Sequence, residues 1–378
     1  MKVLQVLPRL ESGGVERGAL EIASALVSEG FSSFVASSGG KLVDEIVKSG
    51  SSHFLMSCHS KNPITIIKNS FELFRIIKKY KIDIIHARSR APAWSCMIAA
   101  RFAKIRFITT FHGRYGTQNS LKILYNSVMA RGDKIIAISN FIKNYILEYY
   151  GKYININDVI TIHRGVDIKH FDPNSVSEER LLSAQKYINY DPKYTSILMP
   201  ARMTRLKGHL YLLDILKNLK KFNWKCYMVG LCTPDHHKYL EEVKHRIKEL
   251  ALENNVFIYS NWHDMPALYK CIDVVVSTSS SPEAFGRTVL EGQAMGKIVL
   301  AGAHGGALEL IDDGKNGFHM PITNHKAAST ILESVFCISA EKRGDISREA
   351  INAASRYTLD SMCKKTLATY KSLSKIGK

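Results

Sequence analysis

Short apolar runs alternate with longer stretches of helical periodicity from the first residues onward. Val3-Leu4-Gln5-Val6-Leu7 reads as a buried parallel strand, Pro8 to Gly14 as the loop that follows it, and Val15 to Val27 as an amphipathic helix. The alternation continues with strands over 33–36, 53–56, 82–86, 107–110 and 134–138, separated by helices over 42–48, 63–80, 93–103, 121–130 and 140–149. Residues 159–162 form a last short strand, 163–173 a linker, and 177–188 a helix. A second series opens at Ile197-Leu198-Met199 and runs through strands at 227–230, 256–259 and 274–276, with helices over 238–252 and 265–271. Helices over 326–339, 346–355 and 357–372 close the chain. Such alternation predicts an α/β protein of doubly wound parallel sheets. Helix 63–80 carries Ile67, Phe71, Phe74 and Ile77 on one stripe, the expected core side. Its Lys68, Arg75, Lys78 and Lys79 lie mostly elsewhere, as on a solvated outer face.

The length of 378 residues exceeds most single cores and predicts two domains of roughly 150–200 residues each. The linker puts the boundary near residue 170. No run approaches the ~20 apolar residues of a membrane span. Met1-Lys2-Val3-Leu4 enters directly into strand-like sequence, so a cytoplasmic protein is expected. Seven scattered cysteines without C-x-x-C or Cys/His ligand spacing predict reduced, buried thiols and no metal site. Net charge is +18 and uneven: residues 1–170 carry 24 Lys and Arg against 12 Asp and Glu, residues 171–378 carry 28 against 22. The basic first half suits an anionic partner such as a membrane surface, a phosphorylated acceptor or nucleic acid; a lysine-rich solvated surface explains it equally well.

Chemistry concentrates between Ser279 and Glu291, Ser-Ser-Ser-Pro-Glu-Ala-Phe-Gly-Arg-Thr-Val-Leu-Glu. A strand before it and apolar residues at helical spacing after Gly286 make it a strand-to-helix loop, where free backbone N–H groups and the helix dipole favour an anion. Glu283 in the loop and Glu291 in the helix are carboxylates that need partners, whether a ligand or an ordinary salt bridge. Arg202 and Lys207, five apart in the loop after Ile197–Met199, can clamp a pyrophosphate, the first as a fork and the second as a point charge. Gly13-Gly14 lets backbone approach a ligand closely where the first strand turns into its helix. Arg88 and Arg90 follow the strand ending at His86, and His112 and Arg114 the strand ending at Thr110; both strand ends should border one ligand-binding edge. Residues 114–120, polar and containing Gly116, read as a mobile loop suited to an acceptor. Ser139 is a good helix N-cap.

Glu283 and Glu291, enclosing Phe285-Gly286, resemble the E-x7-E signature of retaining glycosyltransferases of family 4, which have the two-domain GT-B fold. The resemblance continues through Gly305-Gly306 with Glu309, Asp313-Gly314 with Asn316-Gly317, Arg202 to Gly208, Gly13-Gly14-Val15-Glu16, Thr110-Phe111-His112-Gly113, and His163 to Asp167, where Arg164 replaces the usual Asn. It implies two Rossmann-like domains facing across a cleft, an acceptor-side domain of residues 1–170 and a nucleotide-sugar-binding domain of residues 171–356, with a terminal helix in 357–378 crossing back to the first. It implies donor binding by Gly14, Arg202, Lys207, Glu283, Ala284, Phe285, Gly286, Arg287, Thr288 and Glu291. In this set Glu283 takes the sugar hydroxyls and Glu291 the ribose, while Glu283, His112, Arg202 and Lys207 carry catalysis. No Asp-x-Asp occurs, so protein groups should balance the leaving diphosphate, with no metal or cofactor beyond the nucleotide-sugar co-substrate. Arg88, Arg90 and Arg114 suggest an anionic glycan or lipid-linked acceptor of cell-envelope or lipopolysaccharide biosynthesis, with peripheral membrane contact. Two other readings fit less: an NAD-type oxidoreductase, for which Gly13-Gly14 lacks the G-x-G-x-x-G pattern, and a nucleic-acid-binding protein, for which no motif is present.

Overall fold

The computed structural model describes residues 1–11, 13–260 and 262–375; Ser12 of the first predicted loop, Asn261, and residues 376–378 of the last predicted segment lie outside the described residues. The chain forms two compact units, Met1–Arg164 together with the terminal helix Leu359–Lys375, and Gly165–Thr358. In the first, β1 (Lys2–Val6), β2 (Ser32–Ser37), β3 (Ser52–Leu55), β4 (Ile84–Ala87), β5 (Arg106–Phe111), β6 (Lys134–Ala137) and β7 (Val159–Thr161) make one parallel sheet in the order β3-β2-β1-β4-β5-β6-β7. The second repeats the plan with β8 (Thr195–Pro200), β9 (Trp224–Val229), β10 (Val256–Tyr259), β11 (Val274–Ser277), β12 (Ile298–Gly302) and β13 (Phe318–Met320), ordered β10-β9-β8-β11-β12-β13. Strand order therefore reverses between β1 and β4 and again between β8 and β11. In sheets of this kind, ligands bind beyond the strand carboxyl ends at such reversals.

The terminal helix covers one face of the first sheet, where Met362, Cys363, Leu367, Tyr370 and Leu373 pack with Val3, Ile84, Ile108 and Ile136. Strand alternation turns that face polar toward the carboxyl ends: Gln5 follows Val3, His86 and Arg88 follow Ile84, and Thr110 and His112 follow Ile108. Buried polar groups require partners, and these largely find one another. His86 bonds through Nδ1 to the Tyr370 hydroxyl (2.6 Å) and through Nε2 to Thr110 Oγ1 (2.7 Å). Arg88 Nη1 donates to Gln5 Oε1 (2.9 Å), and Gln5 Nε2 to the Ala19 carbonyl (3.0 Å). Burial, and then the charge of Arg88, hold the His86 ring well below its ordinary pKa, so it stays neutral and can donate from one nitrogen while accepting at the other.

Most predicted elements occur within a few residues of their expected limits. Helix 93–103 starts earlier, at Arg90, because Pro92 falls in the first turn, where a missing N–H is tolerated. Helix 346–355 starts at Ala340, capped by Ser339 Oγ accepting from Lys342 N (3.2 Å). Helix 121–130 breaks at Asn126, whose side chain accepts from Arg90 Nη1 and donates to the Gly116 carbonyl (3.0 Å each). Helix Pro63–Tyr80 departs from expectation in a different way: Leu73, Ile76 and Ile77 are buried, but Ile67 and Phe71 of the expected core stripe are exposed.

Tyr370→Phe removes the partner of a His86 nitrogen in a dry interior, and should cost the first unit about 1–3 kcal/mol. The expected result in urea is an earlier transition for the first unit with that of the second unmoved.

Candidate active site

Three loops of the second unit lie on the carboxyl edge of adjoining strands: residues 201–208 after β8, 278–286 after β11 and 303–306 after β12. They touch backbone to backbone. Gly208, at φ 77°, lies so close to the Thr278 carbonyl that a Cβ there would come within 1.9 Å of its oxygen. Thr278 Oγ1 donates to the Gly208 carbonyl (3.1 Å), and Ser280 N to that of Leu206 (3.0 Å). On the other side Gly306 N donates to the Glu283 carbonyl (2.8 Å), and a Cβ on Gly306 would meet the Phe285 Cα at 2.4 Å. The loop carrying Glu283 is thus clamped between two others.

Glu283 Oε1 accepts from Lys207 Nζ at 2.6 Å and also from Ser279 Oγ. The pair spans the reversal between β8 and β11. Burial alone would push the Glu283 carboxyl up, but the charge and hydrogen bond of Lys207, with Ser279, hold it below the ordinary glutamate range. The expected clamp of two cations is therefore divided in this state: Lys207 is engaged by Glu283, whereas Arg202 is exposed and its side chain has no polar partner among the described residues. Gly286 turns the chain into helix Arg287–Ala294. Glu291, largely buried in that helix, accepts from Arg287 Nε (2.9 Å) and from the Tyr269 hydroxyl (3.2 Å), which also approaches the Thr288 carbonyl (3.5 Å). Phe285 is buried edge-on to Tyr357, and Ala284 is half-buried. Gly208, Ser279 and Tyr269 are site residues that sequence reasoning missed as such. The Lys207-Gly208 and Ser279-to-Glu283 stretches carried a signal for the first two; Tyr269 had none.

In the first unit, Gly14 opens helix Gly14–Ser28 and its carbonyl accepts from Arg164 Nη2. Arg164 is buried against Gly18, where a Cβ would lie 1.9 Å from Nη1, so the departure from Asn at 164 is accommodated by a glycine in the facing helix. Among the described residues, His112 Nε2 is buried without a hydrogen-bond partner. Burial, then the charges of Arg88 and Arg164, keep this imidazole neutral, well below its usual pKa. The three arginines expected to meet an acceptor differ in exposure. Arg88 is buried on Gln5 as part of the polar layer; Arg90 is half-buried, bonded to Asn126 with its guanidinium 5.3 Å from the Tyr115 ring centroid; Arg114 is exposed over Phe141. The loop expected to be mobile is fastened by Tyr145, whose hydroxyl accepts from Tyr115 N (3.0 Å) and donates to the Tyr115 carbonyl (2.6 Å). Ser139 caps its helix by accepting from Ile142 N (3.1 Å).

The pattern for Glycosyltransferase Family 4 matches residues 12–170, and that for Glycosyl transferases group 1 matches residues 184–353. A crystal structure of a glycosyltransferase from Rickettsia africae ESF-5 is 40% identical, covers 98% of each chain and superposes with a TM-score of 0.91. The chain belongs to this glycosyltransferase family and has its GT-B fold. Anabaena Alr3699/HepE, solved with UDP-glucose, shares the fold at 20% identity, with a TM-score of 0.85 over 99% of this chain and 100% of that one. The Escherichia coli UDP-Gal:alpha-D-GlcNAc-diphosphoundecaprenol alpha-1,3-galactosyltransferase is 24% identical over 78% of this chain and 76% of its own. Against three other curated relatives the match spans 64, 65 and 66% of their length, a little under two thirds.

The depressed Glu283 carboxyl adds stability above the ordinary glutamate pKa, and this contribution is lost as pH falls through its folded value. Glu283→Gln should therefore flatten the acid limb, with melting temperature falling less than in wild type between about pH 6 and pH 3. Parallel acid limbs for the two proteins would remove Lys207–Glu283 as a stabilising pair.

Proposed function

We propose that the protein transfers a sugar from a nucleotide diphosphate to an anionic glycan or lipid-linked acceptor of the cell envelope, of the lipopolysaccharide type, in the cytoplasm, with retention at the anomeric carbon and without a metal ion. The Lys207–Glu283 ion pair at the strand reversal, beside the exposed Arg202, carries this reading. Opening a half-buried ion pair is costly unless both partners are satisfied elsewhere. A nucleotide-sugar does this in one step: its diphosphate oxygens take Lys207, and its sugar hydroxyls donate to Glu283. Arg202 and the N-terminus of helix Arg287–Ala294 then share the leaving-group charge, a preorganised electrostatic term.

In this reading Glu291, held by Arg287 and Tyr269, receives the ribose hydroxyls. On the family resemblance, Gly14 serves the donor phosphate and His112 the donor sugar. The neutral, unpartnered His112 Nε2 suits a hydroxyl partner. The bond from the anomeric carbon to the diphosphate breaks as the acceptor oxygen attacks from the same face, and the acceptor proton passes to a departing phosphate oxygen. Uridine diphosphate is the first nucleotide to try, since HepE was solved with UDP-glucose and the Escherichia coli relative is named for UDP-Gal. The latter's acceptor is by name a lipid-linked diphosphate, which supports an anionic acceptor here. Exposed Arg114 and half-buried Arg90 are the residues left to meet it.

A panel of UDP- and GDP-sugars scored by nucleotide release tests the reading, with one class expected to turn over in the presence of EDTA. Lys207→Ala should lose roughly 10²–10³ in turnover, and should also melt lower because half-buried Glu283 loses its partner. Glu291→Gln should chiefly weaken binding of the bare nucleotide diphosphate, and Glu283→Gln should spare it while impairing transfer. Full activity of Lys207→Ala, or equal effects of the two Gln variants on nucleotide binding, would remove these roles, and loss in EDTA restored by Mg²⁺ would remove the metal-free step.

A further inference from the structure

Helices Pro63–Tyr80 and Arg90–Ala103 pack against one another through small residues. Ser70 is buried at the contact, and the facing helix contributes buried Ala91, Ser95 and Ala99; Ser95 Oγ donates to the Ile66 carbonyl across the contact (3.0 Å). Close approach of the two backbones leaves the larger apolar side chains at the rim. Ile64 is 78% exposed, Ile67 54% and Phe71 64%, and Phe102 on the neighbouring helix 75%. Ile67, Phe71, Phe74, Ile98 and Phe102, with Ser70, line an open groove of about 380 Å³ that is almost wholly apolar. Scattered single exposed apolar residues are ordinary, but a continuous aromatic and aliphatic patch on one helix pair marks an interaction surface.

The charges around this patch are nearly all of one sign. From Lys61 to Lys81 the sequence has six Lys or Arg and a single acid, Glu72. Lys61, Lys68, Arg75, Lys78 and Lys79 are exposed, as are Arg101 and Lys104 flanking Phe102. At helical spacing, Ile64, Ile67, Phe71 and Phe74 form one stripe, with Lys68, Arg75 and Lys78 one turn on from Ile64, Phe71 and Phe74. Lys78 Nζ lies 5.6 Å from the Phe74 ring centroid. An apolar stripe bordered by cations along 18 residues is the pattern of a helix that lies in a membrane interface. A second copy of the chain would bring like-charged rims together, whereas anionic headgroups complement them. No helix among the described residues is long and apolar enough to cross a membrane, so contact here would be peripheral.

We propose that this face rests on a bilayer containing anionic lipid. Ile64, Ile67, Phe71 and Phe102 enter the boundary between headgroups and acyl chains, and Lys68, Arg75, Lys78 and Arg101 meet lipid phosphates. The surface is independent of the transfer reaction and is tested by binding, not turnover.

The test is flotation of the full chain with phosphatidylglycerol–phosphatidylcholine vesicles, with pure phosphatidylcholine vesicles for comparison. Wild type should float with the anionic vesicles and bind about tenfold or more weakly to neutral ones, or at about 0.5 M salt. Phe71→Glu with Phe102→Glu should abolish flotation at unchanged melting temperature, since both side chains are exposed. Phe71→Trp should retain binding and, relative to wild type, add an indole emission that shifts to the blue on vesicles and is quenched by brominated lipid. Absence of flotation by wild type, flotation of the double Glu variant equal to wild type, or an added emission in Phe71→Trp that neither shifts nor is quenched would each overturn the proposal. A dimer that the double variant converts to monomer, without vesicle binding by either protein, would instead assign the face to self-association.

Discussion

The contact between Gly208 and the Thr278 carbonyl limits what the second unit can be. Adjacent parallel strands deliver their loops side by side, and the strand spacing of about 4.8 Å leaves little room for side chains where those loops cross. Here the crossing is backbone on backbone, and Gly306 repeats the arrangement against Phe285 on the next strand. Everything chemical in the unit follows from the resulting position of one loop. Glu283 reaches Lys207 because its loop is held from both sides, and helix Arg287–Ala294 begins where Gly286 releases the chain from the clamp. Orientation of charges before a ligand arrives is what makes them effective when it does.

In the first unit the loops after β1 and β2 also cross backbone on backbone, a Cβ on Gly40 coming within 2.4 Å of the Leu10 oxygen, but the polar layer under its terminal helix is built from side chains. Its strands pass from apolar to polar on the face under the terminal helix, where Gln5, His86 and Thr110 find partners, while Arg88 bonds Gln5 through one nitrogen and its buried Nε has no partner among the described residues. Such a layer favours a single packing arrangement, because each group placed wrongly would be buried without a partner. His112 stands at the margin of this layer with a buried nitrogen left over. That residue and Glu283 are thus prepared differently: one is neutral with a buried nitrogen unpartnered among the described residues, the other ionised and paired.

The doubly wound architecture was legible because strand and helix periodicities alternate cleanly, and the positions of Arg202, Lys207, Glu283 and Glu291 followed from it. β12 and β13 were not anticipated. The Ile298–Gly302 run is short, ends in glycine and follows closely on a helix, and β13 has only three residues before Pro321, too few for a period to declare itself. Which side chains a ligand can reach was the other illegible quantity. Arg88, Arg90 and Arg114 look alike in sequence, yet local packing buries the first, half-buries the second and exposes the third. Phe71 shows the converse, since helical periodicity identifies a stripe but not how closely the neighbouring helix approaches it. Small residues in a partner element decide that, and they leave no mark on the helix concerned.

Because the helix Leu359–Lys375 supplies part of the first unit's core, the chain is not made in the order in which its cores are completed. At a synthesis rate of roughly 5–20 residues per second, the nearly 200 residues of the second unit are translated over about 10–40 s. Throughout that interval Ile84, Ile108 and Ile136 lack their covering helix on the nascent chain. A ribosome that stalls at residue 358 would hold a first unit with an uncovered apolar face. That is the kind of surface that chaperones bind, so in the cell quality control bears first on the domain that was made first.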